Sequence, residues 1–248
     1  MIGDSDRQRY ERQIQIIDTA GQESLKGAEV FIGGAGGLGS VVALYLAAAG
    51  VGRLRIADCD VVSLSNLNRQ ILYRTSDLGK SKALSAGEGL TALNPEIEVI
   101  TLPVSIDEEN AVSLVGTAGL IVDALDNYPA RYLLNRIAQE RRIPFIHGAV
   151  HGFDGQVTTI IPGRTACLRC FLPRAPPHTA IPVIGATCGV IGSIQATEAV
   201  KYITGLSSFL ENRLLLWDGR QSRMDEIGLD RNPNCPDCGE MRRVIGDM

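Results

Sequence analysis

A glycine-rich turn, Gly34-Ala35-Gly36-Gly37-Leu38-Gly39, lies between a short apolar run, Glu29–Gly33, and an Ala/Leu-rich stretch, Leu38–Ala49. A strand that enters such a turn and leaves it as a helix aims backbone N–H groups and the positive helix end at one point, which suits a phosphate. The next apolar run, Arg53–Asp58, completes a βαβ unit of about thirty residues, the expected size. Asp58 closes that run, where an acidic side chain can accept hydrogen bonds from ribose hydroxyls. A nicotinamide dinucleotide would use these two features as readily as a nucleoside triphosphate.

The alternation continues. Ser81–Leu93 reads as helix, Glu98–Leu102 and Leu120–Ala124 as strands, Arg131–Arg142 as helix and Pro144–His147 as a short strand. Beyond these, Val150–Ile161 carries Gly152, Asp154-Gly155 and β-branched alternation, the pattern of a hairpin. Phe171–Thr187 is Pro/Ala-rich with little periodicity and reads as a crossover loop. Val190–Thr204 is helical and Arg213–Asp218 a strand. The expected fold is a doubly wound, Rossmann-like α/β sheet, mostly parallel, extended by C-terminal antiparallel strands. One domain is expected over 1–248: a helical arm (1–28, with one helix from Asp6 to Asp18), a nucleotide-binding half (29–150), and a second half (151–248).

The loops at the carboxyl edge of this sheet favour the triphosphate. Asp60 to Gln70 reads DVVSLSNLNRQ and is followed by Gly79-Lys80-Ser81-Lys82. Asn66, Arg69 and Lys82 offer polar and cationic groups where β- and γ-phosphates need charge balance. Asp126 follows the Leu120–Ala124 strand, at the edge where open α/β sheets place ligands, and a lone carboxylate there can hold Mg²⁺ with phosphates completing its shell.

Two Cys-x-x-Cys pairs, Cys167/Cys170 and Cys235/Cys238, offer four thiolates for one tetrahedral structural zinc that leaves no open position. The pairs would staple distant segments together. Cys59, between two aspartates, reads as a small buried filler. Apolar residues make up 45% of the 248 and charged ones 21%, an ordinary globular balance. A net charge of −4 lacks the basic footprint of a nucleic-acid binder. No apolar run approaches the roughly 18 residues of a spanning helix, and the polar N-terminus is not a signal peptide, so neither membrane nor export is expected. Paired cysteines without a targeting segment point to the cytoplasm.

The run Arg9-Tyr10-x-Arg12-Gln13, the glycine turn, Asp58-x-Asp60, SNLNRQ, Lys82, Asp123-x-x-Asp126-Asn127, both cysteine pairs and Gly189-Val190-Ile191-Gly192-Ser193 occur in that order. Together, from about Arg9 to Gly239, they resemble the MoeB/ThiF/HesA family, prokaryotic relatives of ubiquitin-activating enzymes. The resemblance implies an adenylyltransferase that uses MgATP to adenylate the C-terminal glycine carboxylate of a ubiquitin-fold sulfur carrier. By matching position, Gly34, Gly36, Gly37, Gly39, Asp58, Asp60, Asn66, Gln70 and Asn127 would surround the nucleotide. Arg69 and Lys82 would bind its phosphates, and Asp126 would hold Mg²⁺. Arg12 would reach as a finger into the ATP site of a partner subunit, which implies a homodimer; Arg9 and Arg12 are expected to share a helix face.

The chain departs from the pattern in one place. Many relatives carry a cysteine in the crossover loop, about eleven residues before the Gly-Val-Ile-Gly-Ser run. Here His178 takes that place, and no cysteine occurs between Phe171 and Thr187. Cys188, expected just before the helix, reads as structural, although a helix N-terminus can activate a thiol. A small-molecule or peptide carboxylate therefore stays open as the alternative acceptor, as in members of the superfamily that act without a thiol step. With no rhodanese-like stretch after Cys238, sulfur is expected to come from a separate protein.

Overall fold

The computed structural model describes residues 2–176, 182–206 and 209–239. The chain opens with α1 (Asp4–Arg9) and α2 (Glu11–Gly27), then alternates β1 (Glu29–Gly33), α3 (Gly37–Ala49), β2 (Arg53–Ala57), α4 (Lys82–Leu93) and β3 (Glu98–Leu102). It continues through α5 (Ala111–Val115), β4 (Leu120–Asp123), α6 (Tyr128–Arg141), β5 (Phe145–His151) and β6 (Asp154–Ile160). Last come α7 (Leu168–Phe171), α8 (Gly185–Thr204), β7 (Arg213–Asp218) and β8 (Arg223–Gly228).

All eight strands join one sheet in the order β3-β2-β1-β4-β5-β6-β7-β8. The first five pair in parallel and the last three antiparallel. The chain winds one way from β1 to β3 and the other way from β4 onward, so β1 and β4 flank the switch point where such sheets bind ligands. The central strands have both faces covered, which is why they read as continuous apolar runs: Val30, Phe31, Ile32, Ile121 and Val122 are all fully buried. One face packs against α3, α4 and α8, through Leu46, Leu90 and Ile191 among others. The opposite face packs against α5, α6 and α7, through Leu114, Leu134 and Leu168.

The doubly wound class, the parallel half and the antiparallel extension are as expected. Three elements were not foreseen: α5, α7 and β8. The glycine at 148 does not break the sheet, since β5 runs from Phe145 to His151 and turns directly into β6. A side chain there would collide with Gln195 of α8, so the helix, and not a turn, demands that glycine. Helix α8 starts at Gly185, five residues before the expected Val190. Pro182 and Ile184 tie to Gly152 by backbone hydrogen bonds and set the helix start early. Cys188 is therefore inside the first helical turns.

The N-terminal arm also differs. The single expected helix is broken at Tyr10, which ends α1 and opens α2, so Arg9 and Arg12 lie on different helices and share no i, i+3 face. A second kink falls at Asp18, whose φ of 58° leaves the helical range. Cys59 is exposed rather than buried. It follows β2 at the open carboxyl edge, past the last position that the sheet covers. Among the described residues, no helix is long and apolar enough to cross a membrane.

Candidate nucleotide site and cysteine cluster

Register places the candidate site. Gly33 at the end of β1 pairs with Ala57 of β2 and Asp123 of β4, and Asp123 pairs with His147 of β5. The residues that follow these four therefore emerge at one edge. The glycine turn comes first there. Gly34 has φ of +95°, and a Cβ on it would stand 2.8 Å from the Ala124 carbonyl. A Cβ on Gly39 would collide with the Gly34 carbonyl, and one on Gly37 would stand 2.7 Å from Cys188 Sγ. The glycines let the turn pack between β4 and α8 while the N-terminus of α3 stays bare of side chains.

The peptide of Ala35 is fixed from both sides. Its N–H donates to Asp58 Oδ2 at 2.8 Å, and its carbonyl accepts from Tyr73 Oη at 2.7 Å. The other Asp58 oxygen accepts from Asp60 N at 2.8 Å. Burial raises the Asp58 carboxyl above its ordinary pKa, against these two N–H donors. Tyr73, buried and in no family run quoted above, was missed because nothing near it in sequence marks it.

The loop from Asp60 to Gln70 folds back on the segment before α4, with Val61 bridged to Ser81. This brings Lys82, the first residue of α4, beside Asp60: Nζ donates to Oδ2 at 2.8 Å. Ser81 caps α4 by accepting from Leu84 N. Asn66 accepts from Ser63 N and shapes its own turn. Arg69 Nη1 donates to the Ser65 carbonyl at 2.8 Å and to Asn68 Oδ1 at 3.1 Å. Gln70 is buried against Gly36, and its Oε1 has no hydrogen-bond partner. An orphaned buried oxygen beside a bare glycine turn fits a site that takes a polar ligand.

Asp126 is exposed in the turn between β4 and α6. Its neighbour Asn127 caps α6, accepting from Ala130 N at 3.1 Å, so that side chain has a structural task. Arg12 is not near this edge. The residues beside it are anchored at the far end of α3: Tyr10 Oη accepts from Asn94 Nδ2 at 2.8 Å, and Gln13 Nε2 donates to the Ala49 carbonyl at 2.9 Å. The glycine turn lies at the other end of this 13-residue helix, about 20 Å away. Arg12 itself is exposed. His178 lies outside the described residues.

The four paired cysteines converge, with all Sγ atoms within 4.8 Å of one another. Cys167–Cys235, Cys170–Cys238 and Cys167–Cys170 are separated by 3.5, 3.4 and 3.9 Å. Zn–S bonds of about 2.3 Å in a tetrahedron place sulfurs about 3.8 Å apart, so the cluster could hold zinc. Asn135 of α6 fastens both loops: its Nδ2 donates to Asp237 Oδ2 at 2.7 Å, and its Oδ1 accepts from Leu168 N at 3.0 Å. This second layer joins the cluster to the first half of the chain, and sequence spacing gave no hint of it.

Fold and edge together define a doubly wound α/β protein with a phosphate-type glycine turn at its switch point. The chain matches the ThiF family over residues 10–237 and belongs to that family. Among similar proteins is the sulfur carrier protein adenylyltransferase of Thermus thermophilus, 42% identical over 245 residues, covering 94% of this chain and 90% of that protein. Another is the SAMP-activating enzyme E1 of Haloferax volcanii, 41% identical over 241 residues, covering 94% and 88%. Among solved structures, that of E. coli MccB with ATP has a TM-score of 0.82 at 24% identity, covering 96% of this chain and 75% of that one. At that identity it shows a shared fold. The expectation of an adenylyltransferase of this family agrees with the names of the two relatives.

Proposed function

We propose that this chain is an ATP-dependent adenylyltransferase that activates the C-terminal glycine carboxylate of a ubiquitin-fold sulfur carrier and releases pyrophosphate. The observation that carries this reading is the buried Lys82 at the start of α4, held by Asp60 two residues past Asp58: carboxylates at that strand end disfavour the 2′-phosphate of NADP, and NAD has no further phosphate for the cation to meet. The relatives at 42% and 41% identity favour a protein carrier over a small-molecule or peptide carboxylate.

In this reading Asp58 holds the ribose, and the N–H groups at the start of α3 receive phosphate oxygens. Gln70 borders the same pocket. A carrier carboxylate oxygen attacks the α-phosphorus, the bond from that phosphorus to the bridging oxygen breaks, and pyrophosphate leaves. The carboxylate is already ionised at neutral pH, so no general base is needed. Catalysis comes from alignment and from neutralising charge on the leaving group. Lys82 and Arg69 supply that charge, Arg69 after leaving its contacts in the Ser65–Asn68 turn. Asp126, an exposed hard oxygen donor, suits Mg²⁺ with the phosphates as its other ligands; the ion would add positive charge on the phosphates.

Arg12 acts from a second copy of the chain. Its anchors lie about 20 Å from the glycine turn of the same copy, which suits a homodimer with composite sites. Zinc in the cysteine cluster is structural, with no step assigned to it. The reduced thiolates it needs support a cytoplasmic enzyme. Cys188 is buried, and burial raises its thiol pKa, so no covalent thiol step is assigned to it either.

The test is ATP–pyrophosphate exchange with Mg²⁺ and a ubiquitin-fold carrier ending in Gly-Gly, beside the same carrier lacking its last glycine. Exchange that requires the intact tail is expected. Tight MgATP binding without exchange for any cognate carrier would overturn the acceptor and favour a small-molecule or peptide carboxylate.

A further inference from the structure

A buried polar chain runs across four elements beneath the turn that carries Asp126. Asp123 and His147 are both fully buried, with His147 Nδ1 and Asp123 Oδ2 2.8 Å apart. The other ring nitrogen, Nε2, faces Gln156 Nε2 of β6 at 3.0 Å. With the Gln156 amide in this orientation its N–H donates, so Nε2 accepts and Nδ1 carries the proton that goes to Asp123. That arrangement goes with a neutral ring, as does its full burial. Arg131 of α6 supplies the countercharge, with its Nε 3.4 Å from Asp123 Oδ2.

The turn after Asp123 is then held at one residue by both of its backbone groups. Leu125 N donates to Asp123 Oδ1 at 3.1 Å, and the Leu125 carbonyl accepts from Arg131 Nη2. Leu125 directly precedes Asp126. On the opposite face, Gln195 Nε2 donates to the Asp123 carbonyl at 2.8 Å. One carboxylate thus orients the turn through Leu125, and His147 holds that carboxylate from the side away from Leu125.

We infer that His147 is a positioning residue for nucleotide binding: tethered to Gln156 on the β5–β6 hairpin, it fixes Asp123 and through it the Leu125–Asp126 turn. This rests on the proposed role of Asp126 toward the metal–nucleotide. It predicts a defect specific to the metal-bound nucleotide, since Asp126 is the residue proposed to hold the metal and Asp58 the one proposed to hold the ribose. A histidine that merely filled space would leave nucleotide affinity alone when replaced by a residue of similar bulk.

The experiment is calorimetric binding of a non-hydrolysable ATP analogue, with Mg²⁺ and with EDTA, to wild type, His147→Leu, His147→Asn and Gln156→Leu. Wild type must bind the Mg²⁺ form; if it does not, the functional reading fails and not this inference alone. His147→Leu is expected to weaken the Mg²⁺ form at least tenfold while affinity in EDTA stays within twofold. His147→Asn, which keeps a short N–H donor, should recover most of the loss. Gln156→Leu leaves Asp123 its partners but frees the ring, and a several-fold loss in the same direction is expected. Should His147→Leu fail to fold, Gln156→Leu decides. Wild-type affinity for the Mg²⁺ form in the folded variants, or equal loss with and without Mg²⁺, would overturn the inference.

Discussion

Lys82 Nζ donates to Asp60 Oδ2 at 2.8 Å, joining a side chain that is 6% exposed to one that is 62% exposed. The exposed partner holds the buried cation at the rim of the glycine turn. A lysine so placed would offer its charge to the proposed phosphates at small ordering cost, because its long chain is already immobilised. Lys82→Ala should lower the exchange rate by about 10²–10³, the scale for loss of one charged stabiliser of the transition state. Asp60→Asn removes a guide and keeps the cation, so a loss below about tenfold is expected. A larger loss in Asp60→Asn than in Lys82→Ala would reverse these roles.

Arg12 and Lys82 offer a test of the composite site. Arg12→Ala and Lys82→Ala should each be nearly inactive in exchange. Unfolded together and refolded as mixed dimers, they should recover about one quarter of wild-type activity, since half the dimers are mixed and each of these has one intact site. No recovery, with mixed dimers present by mass, would place Arg12 outside the partner's site.

Gly37 and Cys188 constrain one another. Gly37→Ala should destabilise the fold by about 1–3 kcal/mol through overpacking against the thiol. Cys188→Ala leaves a small cavity costing about 1–2 kcal/mol but should leave exchange unchanged. The double variant should be more stable than the sum of the two losses implies. Chemical denaturation of the four proteins measures that coupling, and strict additivity would mean that the backbone relaxes instead.

The cysteine cluster should bind one zinc, by atomic absorption on protein purified without chelator. Cys235→Ser should lose it and lower the melting temperature by more than about 10 °C, the scale expected for loss of a metal staple. Asn135→Ala should retain the metal but release it faster to a chelator, as second-layer contacts usually act. Chelator release at the wild-type rate would remove Asn135 from that role.

His147 also makes a prediction about pH. Burial holds its pKa below the ordinary 6.5, against the pull of Asp123. Above pH 6.5 neither folded nor unfolded chain takes up this proton, and the group's contribution is complete. Below it the unfolded chain protonates while the folded one resists, so stability is lost by about 1.4 kcal/mol per pH unit until the folded pKa is reached. Between pH 7.5 and 5.5, wild type should therefore lose more stability than His147→Asn, with about 1.4 kcal/mol as the upper limit of the difference. Equal losses, by urea denaturation, would show that the ring titrates normally.

Much of the candidate site was legible because its parts are local patterns. The glycine turn, Asp58, the SNLNRQ loop and Lys82 each lie next to a strand end or a helix start that periodicity marks. The cysteines were legible by spacing. What stayed hidden depends on distant pairs without a signature: Tyr73 with Ala35, 38 residues apart, and Asn135 with Asp237, 102 apart. His147 read as an ordinary strand residue, because nothing in its own segment announces Asp123. Strand β8 was missed since all six of its residues are exposed, and an edge strand needs no apolar alternation. Helices α5 and α7 are too short for a helical period to register.

Helix α8 packs across the boundary drawn at residue 150. Its Ile191, Ala196 and Ala199 belong to the same buried cluster as Val30, Ile32 and Leu46, which are present in the chain about 150 residues earlier. A chain leaving the ribosome finishes β1 through β5 with α3 and α4 in place but the strip that α8 covers still bare, and β5 waits with an unpaired edge until β6 arrives. The nascent enzyme thus passes through a sticky stage that ends only when the last third of the chain is made, and a product truncated after residue 150 is material for chaperones or proteases rather than a half-enzyme.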